Sequence, residues 1–252
     1  MITVEHLTLS LGSRTVLRNI SFTLECGRVV AIIGPNGAGK TSLIRALAGL
    51  VPAQSGRILL NDQPIDAISR TERARRIGYL PQDGEPAWNV SAFELAALGR
   101  LPHRSRFSAP SSDDDDAVFA ALAATDTTRL AGRPIGTLSG GERARVKMAR
   151  VLAGDPDWIL ADEPLANLDP PHQRDMLALL ASAAKTGKGA IAVLHQLDAA
   201  AHADDVLILK EGALIACGPA REVLTPNHLE AAFDMRFQII EQAGRIIILP
   251  EA

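Results

Sequence analysis

GPNGAGKT, residues 34–41, places three glycines and a proline between two apolar segments. Glycine and proline weaken strands and helices alike, so something other than stability accounts for them here. Gly34, Gly39, Lys40 and Thr41 fit the spacing G-x-x-x-x-G-K-[ST]. The run before it, RVVAII (28–33), is short, apolar and β-branched, the pattern of a strand buried on both faces. The run after it, TSLIRALAGL (41–50), carries apolar residues at helical spacing. A strand, a glycine loop and a helix turn successive backbone N–H groups, and the positive end of the helix dipole, toward one point. Lys40 adds a full charge where β- and γ-phosphates would lie, and the Thr41 hydroxyl suits Mg²⁺. The stretch reads as a cradle for a triphosphate.

Outward from the loop, ITVEHLTL (2–9) and VLRNISFTL (16–24) alternate loosely around the turn LGSR, which predicts an N-terminal antiparallel unit. RILL (57–60) and IGYL (77–80) read as further strands. WILAD (158–162), GAIAVLH (189–195) and DVLILK (205–210) resume the strand rhythm, with PPHQRDMLALLASAAK (170–185) as a helix whose prolines fit its first turn. Strands alternating with helices predict an α/β fold with a mainly parallel sheet. Residues 83–155 are richer in alanine, and VSAFELAALGR, DDDDAVFAALAAT and SGGERARVKMARVLAG all suit helices, the first and third entered through serine. The expected organisation is one domain over 1–252, with a core of 1–82 and 156–252 and an inserted helical subdomain at 83–155. The tail, RFQIIEQAGRIIILPE, predicts a hairpin turning near Ala243 and Gly244.

The totals narrow the class. Apolar residues make up 47% of the chain, enough to bury a sizeable core. One tyrosine, two tryptophans and a net charge of −3 disfavour nucleic acid as a partner. Cys26 and Cys217 form no C-x-x-C pair and are expected to be reduced thiols. The N-terminus lacks the basic start and long apolar run of a secretory signal. No stretch approaches the ~18 apolar residues of a spanning helix, so a membrane role would need other chains.

Two further stretches carry chemistry. WILADEP (158–164) ends an apolar strand in Asp162 and Glu163. A carboxylate there can hold Mg²⁺, and a second can polarise an attacking water. LSGGE (138–142) puts Ser139, Gly140 and Gly141 at a helix start, a second anion-binding end that one nucleotide does not need.

The ordered set resolves that surplus. GPNGAGKT, Gln82 in YLPQD, LSGGE, WILADE, LANLD (165–169) and His195 in VLHQL together resemble the ATP-binding subunit of ABC transporters, over nearly the whole chain. The resemblance implies a P-loop ATPase core with an antiparallel β subdomain and a helical insertion. Two copies would pack head to tail and enclose two ATP molecules, each between one copy's GPNGAGKT and the other's LSGGE. Asn36, Gly37, Ala38, Gly39, Lys40, Thr41 and Ser42 would wrap the phosphates. Thr41, Gln82 and Asp162 would serve Mg²⁺. Glu163 would be the general base and His195 would contact the γ-phosphate. Ser139 and Gly141, with Gly140 between them, would reach the partner's ATP, and Asp169 would align the two sites. Membrane permease subunits and a substrate-binding protein would complete an importer, with this chain peripheral on the cytoplasmic face of the inner membrane.

LGRLPH (98–103), DDDDAVFAALAATD (113–126) and LDPPHQ (168–173) resemble the group importing iron-siderophores, haem or cobalamin. Two rivals stay open at this point: another import class, and a non-transport ABC ATPase such as one for iron–sulfur cluster assembly. A third, a stand-alone phosphoryl-transfer enzyme, would leave LSGGE without a purpose. One departure from the family is visible. Leu11 stands where an aromatic usually stacks on adenine, which leaves Leu11 or Arg14 to contact the base. Elsewhere RTERARR (70–76) reads as a solvated helix face, Asp113 to Asp116 as an exposed helix start, His103 as a surface residue, and Trp88 and Trp158 as packing residues. His6, His202 and His228 show no metal-ligand pattern.

Overall fold

The computed structural model describes residues 1–82, 89–105, 109–242 and 245–251. Its first part runs β1 (Ile2–Leu11), β2 (Arg14–Leu24), β3 (Val29–Ile33), α1 (Lys40–Leu47), β4 (Ser55–Leu60), β5 (Gln63–Pro64), α2 (Arg70–Arg76) and β6 (Ile77–Leu80). A helical part follows, with α3 (Ala92–Ala97), a 3-10 segment (Leu98–His103), α4 (Ser112–Ala124) and α5 (Gly140–Ala153). The third part is β7 (Trp158–Ala161), α6 (Pro170–Lys185), β8 (Gly189–Val193), α7 (Leu197–Ala200), β9 (Asp205–Lys210), β10 (Ala213–Pro219), α8 (Ala220–Val223), α9 (Pro226–Phe233), β11 (Phe237–Gln242) and β12 (Arg245–Pro250).

The central sheet has the order β10-β9-β3-β8-β7-β6, parallel except for β10. Successive strand residues point to opposite faces, and both faces are covered. Val30, Ile32, Leu160, Ile191 and Leu207 meet α1 and the antiparallel sheet β2-β1-β4-β5 on one side. Ala31, Ile159, Ala190, Ala192 and Ile208 meet Met176 and Leu180 of α6 on the other. Small alanines on that second face leave room for the longer helix side chains. The helices α3, α4 and α5 enclose two small cores of their own, one around Leu95, Ile135 and Val146 and one around Val118, Leu122 and Ala149.

Several expectations hold in detail. Ser91 and Ser139 cap their helices, each in a reciprocal box with the glutamate three residues on. The prolines of α6 fall in its first turn as expected, and Asp169, not read as a cap, caps it. Helix α2 buries none of its residues. Trp158 is fully buried. Other expectations need correction. The helix after the glycine loop stops at Leu47, because Gly49 takes φ +66. Gly49 N–H then bonds to Ala46 C=O and Leu50 N–H to Arg45 C=O, closing the end as a Schellman motif. Asp114 is not exposed: it is buried, accepts from Arg100 Nε at 3.0 Å and from Ser111 N–H at 3.2 Å. Those bonds, the Ser111 one first, hold its carboxyl below the usual range. His103 is half-buried, with Nε2 2.8 Å from the Gly154 carbonyl. The tail hairpin pairs Phe237 with Pro250 through Gln242 with Arg245. Its turn at Ala243 and Gly244, like Trp88, lies outside the described residues.

Candidate nucleotide site

The parallel strands explain where the chemistry collects. Ligand sites in such sheets lie beyond the strands' carboxyl ends. The 34–41 loop follows β3, Gln82 follows β6, Asp162 and Glu163 follow β7, and His195 follows β8. The four strands are near neighbours in the sheet order, so residues far apart in sequence converge.

The loop is built around helix α1. Gly39 sits at φ +101 as its N-cap, and no side chain caps the helix. A Cβ at Gly39 would lie 2.8 Å from the Val16 carbonyl oxygen, so only glycine fits there. Asn36 and Gly37 are exposed, Ala38 is buried, and Ser42 is half-buried on α1. The Lys40 ammonium is almost wholly buried and donates to the Gly34 and Pro35 carbonyls at 2.8 and 3.0 Å. Burial lowers its pKa, and the charges of Glu163 and Asp162 oppose that shift.

Asp162 has no exposed surface. Its Oδ1 accepts from the Thr41 hydroxyl at 3.0 Å and its Oδ2 from the Tyr79 hydroxyl at 3.1 Å. Arg45 Nε lies 3.9 Å from Oδ2 and donates to the Tyr79 oxygen at 3.4 Å. Burial raises the Tyr79 phenol above its ordinary pKa. Tyr79 opens YLPQD and Arg45 lies in the helix after the glycine loop, but neither contact with Asp162 follows from the motifs. Tyr79 reaches it because β6 lies beside β7, and Arg45 reaches it from α1.

Glu163 takes a left-handed backbone, φ +53, which costs a non-glycine residue about 1–3 kcal/mol and is retained where surroundings enforce it. Its Oε2 accepts from Gln82 Nε2 at 2.6 Å, and its Oε1 lies 2.7 Å from His195 Nε2. Gln82 is thus hydrogen-bonded to one oxygen of Glu163, and His195 stands in ion-pair range of the other. A carboxylate flanked in this way can orient a water.

LSGGE lies across a cleft of about 410 Å³, lined on one wall by Gln82 and Glu163 and on the other by Gly140 and Lys147. The Ser139 hydroxyl and N–H bond to Glu142, and among the described residues none of its hydrogen bonds reaches the 34–42 loop. Gly141 is packed against His172 of α6, so closely that a Cβ there would fall 1.8 Å from the ring. His172 N–H donates to Asp169, the α6 cap. The LSGGE helix and the LANLD segment therefore meet at His172, which LDPPHQ contains but whose contact with Gly141 its spacing does not show. On the base side, Arg14 lines a cavity of about 610 Å³ with Asn36, Gly37 and Lys210. Leu11 is half-exposed and does not line it.

This fold, with a glycine loop and two acids at neighbouring strand ends, defines a P-loop nucleoside triphosphatase. The comparisons with known proteins narrow that class. A model of the ABC transporter family matches residues 17–166. The chain is 42% identical over 242 residues to the hemin import ATP-binding protein HmuV of Nocardia farcinica, covering 94% of this chain and 83% of that one. It is 38% identical over 250 residues to the ferric enterobactin transport ATP-binding protein FepC of Escherichia coli, covering 98% and 92%. A solved chain described as part of a metal-chelate type ABC transporter in an inward-facing conformation matches with a TM-score of 0.87. That match has 27% identity over 100% of this chain and 97% of the other. The chain belongs to the ABC transporter family, as an ATP-binding subunit that hydrolyses ATP.

Proposed function

We propose that this chain powers import of a metal chelate, haem or a ferric siderophore, with cobalamin as the third member of the class. The relatives named for hemin and ferric enterobactin transport support that cargo. The row Gln82–Glu163–His195 beside the uncapped start of α1 carries the catalytic reading. Residues 83–155 act as a helical subdomain that presents LSGGE, and the remainder acts as the core.

Asn36 to Ser42 wrap the triphosphate. Lys40 turns from the Gly34 and Pro35 carbonyls to the β- and γ-phosphates. Glu163 accepts a proton from the attacking water, and His195 steadies both Glu163 and the γ-phosphate. Thr41 and Asp162 offer hard oxygen donors that fit Mg²⁺, and Gln82 would add a third. That ion supplies charge neutralisation at the transferred phosphoryl group. Arg14 contacts the base. Leu11, in the place of an aromatic, adds little.

Two copies complete each other's sites. Ser139, Gly140 and Gly141 of one copy close over the nucleotide held by its partner, and Asp169 aligns the two halves. Binding ATP to both halves favours the closed dimer, and hydrolysis releases it. Shifting such an equilibrium from 1:99 to 99:1 needs about 5.5 kcal/mol of differential binding. Two membrane permease subunits and a substrate-binding protein complete the importer, with this chain peripheral on the cytoplasmic face. No helix among the described residues is long and apolar enough to cross a membrane.

Purifying the chain from membranes with its partners tests the cargo. Hydrolysis is expected to rise when a binding protein loaded with haem or a ferric siderophore is added. Stimulation by amino-acid-loaded protein instead overturns the chelate reading. For the chemistry, Glu163→Gln is expected to bind ATP, lose turnover by at least about a hundredfold and accumulate as a dimer. Normal turnover in that variant overturns the assignment of the base.

A further inference from the structure

We propose that Tyr79 is a positioning residue for the metal-binding carboxylate: its hydroxyl holds one oxygen of Asp162 so that the other stays on Thr41 and the cation. This rests on reading Asp162 as the Mg²⁺ carboxylate. Tyr79 is the only tyrosine of the chain.

The geometry sets the direction of every proton in the row. A guanidinium can only donate and a carboxylate can only accept. Arg45 Nε therefore donates to the Tyr79 oxygen, and the single hydroxyl hydrogen of Tyr79 goes to Asp162 Oδ2. Thr41 serves Oδ1. The carboxylate plane is thus pinned from both ends, in a residue with no exposed surface. Without the phenol, Oδ2 would be left with Arg45 at 3.9 Å, outside hydrogen-bond reach. The carboxylate would then be free to swing toward Arg45 and away from Thr41.

The support behind Tyr79 is rigid. It lies on β6 opposite Leu160 of β7, and Leu80 C=O accepts from Asp162 N–H at 2.9 Å, so strand pairing continues into the site. The Tyr79 carbonyl accepts from Arg150 of α5 at 2.9 Å. The ring packs against the larger core. Phenylalanine at this position would keep that packing and remove one hydrogen bond.

The test measures binding of a fluorescent ATP analogue in EDTA and across a Mg²⁺ titration, for the wild type, Tyr79→Phe, Arg45→Gln and Asp162→Asn. In Tyr79→Phe, affinity in EDTA is expected to stay within about twofold of wild type. The Mg²⁺ concentration for half-maximal tightening is expected to rise about tenfold, the factor a hydrogen bond to a charged group commonly carries. Arg45 acts through the phenol, so Arg45→Gln is expected to raise it about threefold. It serves as the reading if Tyr79→Phe does not fold. An unchanged Mg²⁺ midpoint in whichever variant folds overturns the proposal, provided Asp162→Asn loses the Mg²⁺ response. If Asp162→Asn keeps that response, the reading of Asp162 fails instead, and the Tyr79 proposal falls with it.

Discussion

Helices α1 and α5 are both entered beside glycines, yet they end their backbones in opposite ways. The first has no side-chain cap, and its N-cap is a glycine. The second is closed by Ser139 and Glu142, which satisfy each other's N–H groups at 3.1–3.2 Å. An uncapped helix start leaves donors that favour an anion. A capped start has part of that demand met already. The nearly buried Lys40 sharpens the contrast, since its charge is desolvated and held near Glu163 and Asp162. At α5 the first-turn charge is negative: Glu142 sits there, with Arg129 3.6 Å away. One end is thus prepared for phosphate in a single chain. The other is partly closed by its own cap, and faces no nucleotide of its own chain, which suits a surface that engages nucleotide only when a second copy arrives.

Lys40→Ala is expected to break the comparison at its stronger side. Losing a charged donor to phosphate removes roughly 2–3 kcal/mol, about a hundredfold in ATP affinity, and turnover falls with it. Titration calorimetry in the presence of Mg²⁺ checks this. Ser139→Arg is expected to leave that affinity within about twofold while suppressing hydrolysis by at least about a hundredfold, because it blocks only the shared wall. Mixing the two variants should restore no more than one working site per dimer. Full activity of Ser139→Arg alone would mean that α5 serves no nucleotide, and the asymmetry between the two helix starts would be merely structural.

The legible parts of the molecule are those whose cause is local. The strand, glycine loop and helix of 28–50 are contiguous, and so are the apolar strand and acids of 158–163. Ser91 and Ser139 were readable as caps because a cap is decided within four residues. What stayed hidden depends on neighbours that only the fold supplies. Tyr79 reaches Asp162 through the pairing of β6 with β7. Asp114 is buried because Arg100, on the 3-10 segment, comes back to it. His172 lies against Gly141 only once α6 packs beside α5. The row Gln82–Glu163–His195 falls between these cases: each member sat in a motif, but their contacts with one another did not follow from spacing.

The smallest expected effect concerns what closes α5. The Ser139 N–H, with the neighbouring hydroxyl and nearby arginines, holds the Glu142 carboxyl below its ordinary value of 4.5. A group whose folded pKa is depressed stabilises the protein fully above its unfolded value and loses that contribution as pH falls through the folded one. Stability is therefore expected to decline below about pH 4.5 in part through this cap. Glu142→Gln keeps an oxygen that can accept from Ser139 but carries no titration. Its stability is expected to be slightly lower than wild type at pH 7, with a shallower decline in acid, as read from urea midpoints between pH 3 and 7. Parallel declines in the two proteins would show that the acid cap contributes nothing to α5. The difference between the helix starts would then rest on Ser139 alone.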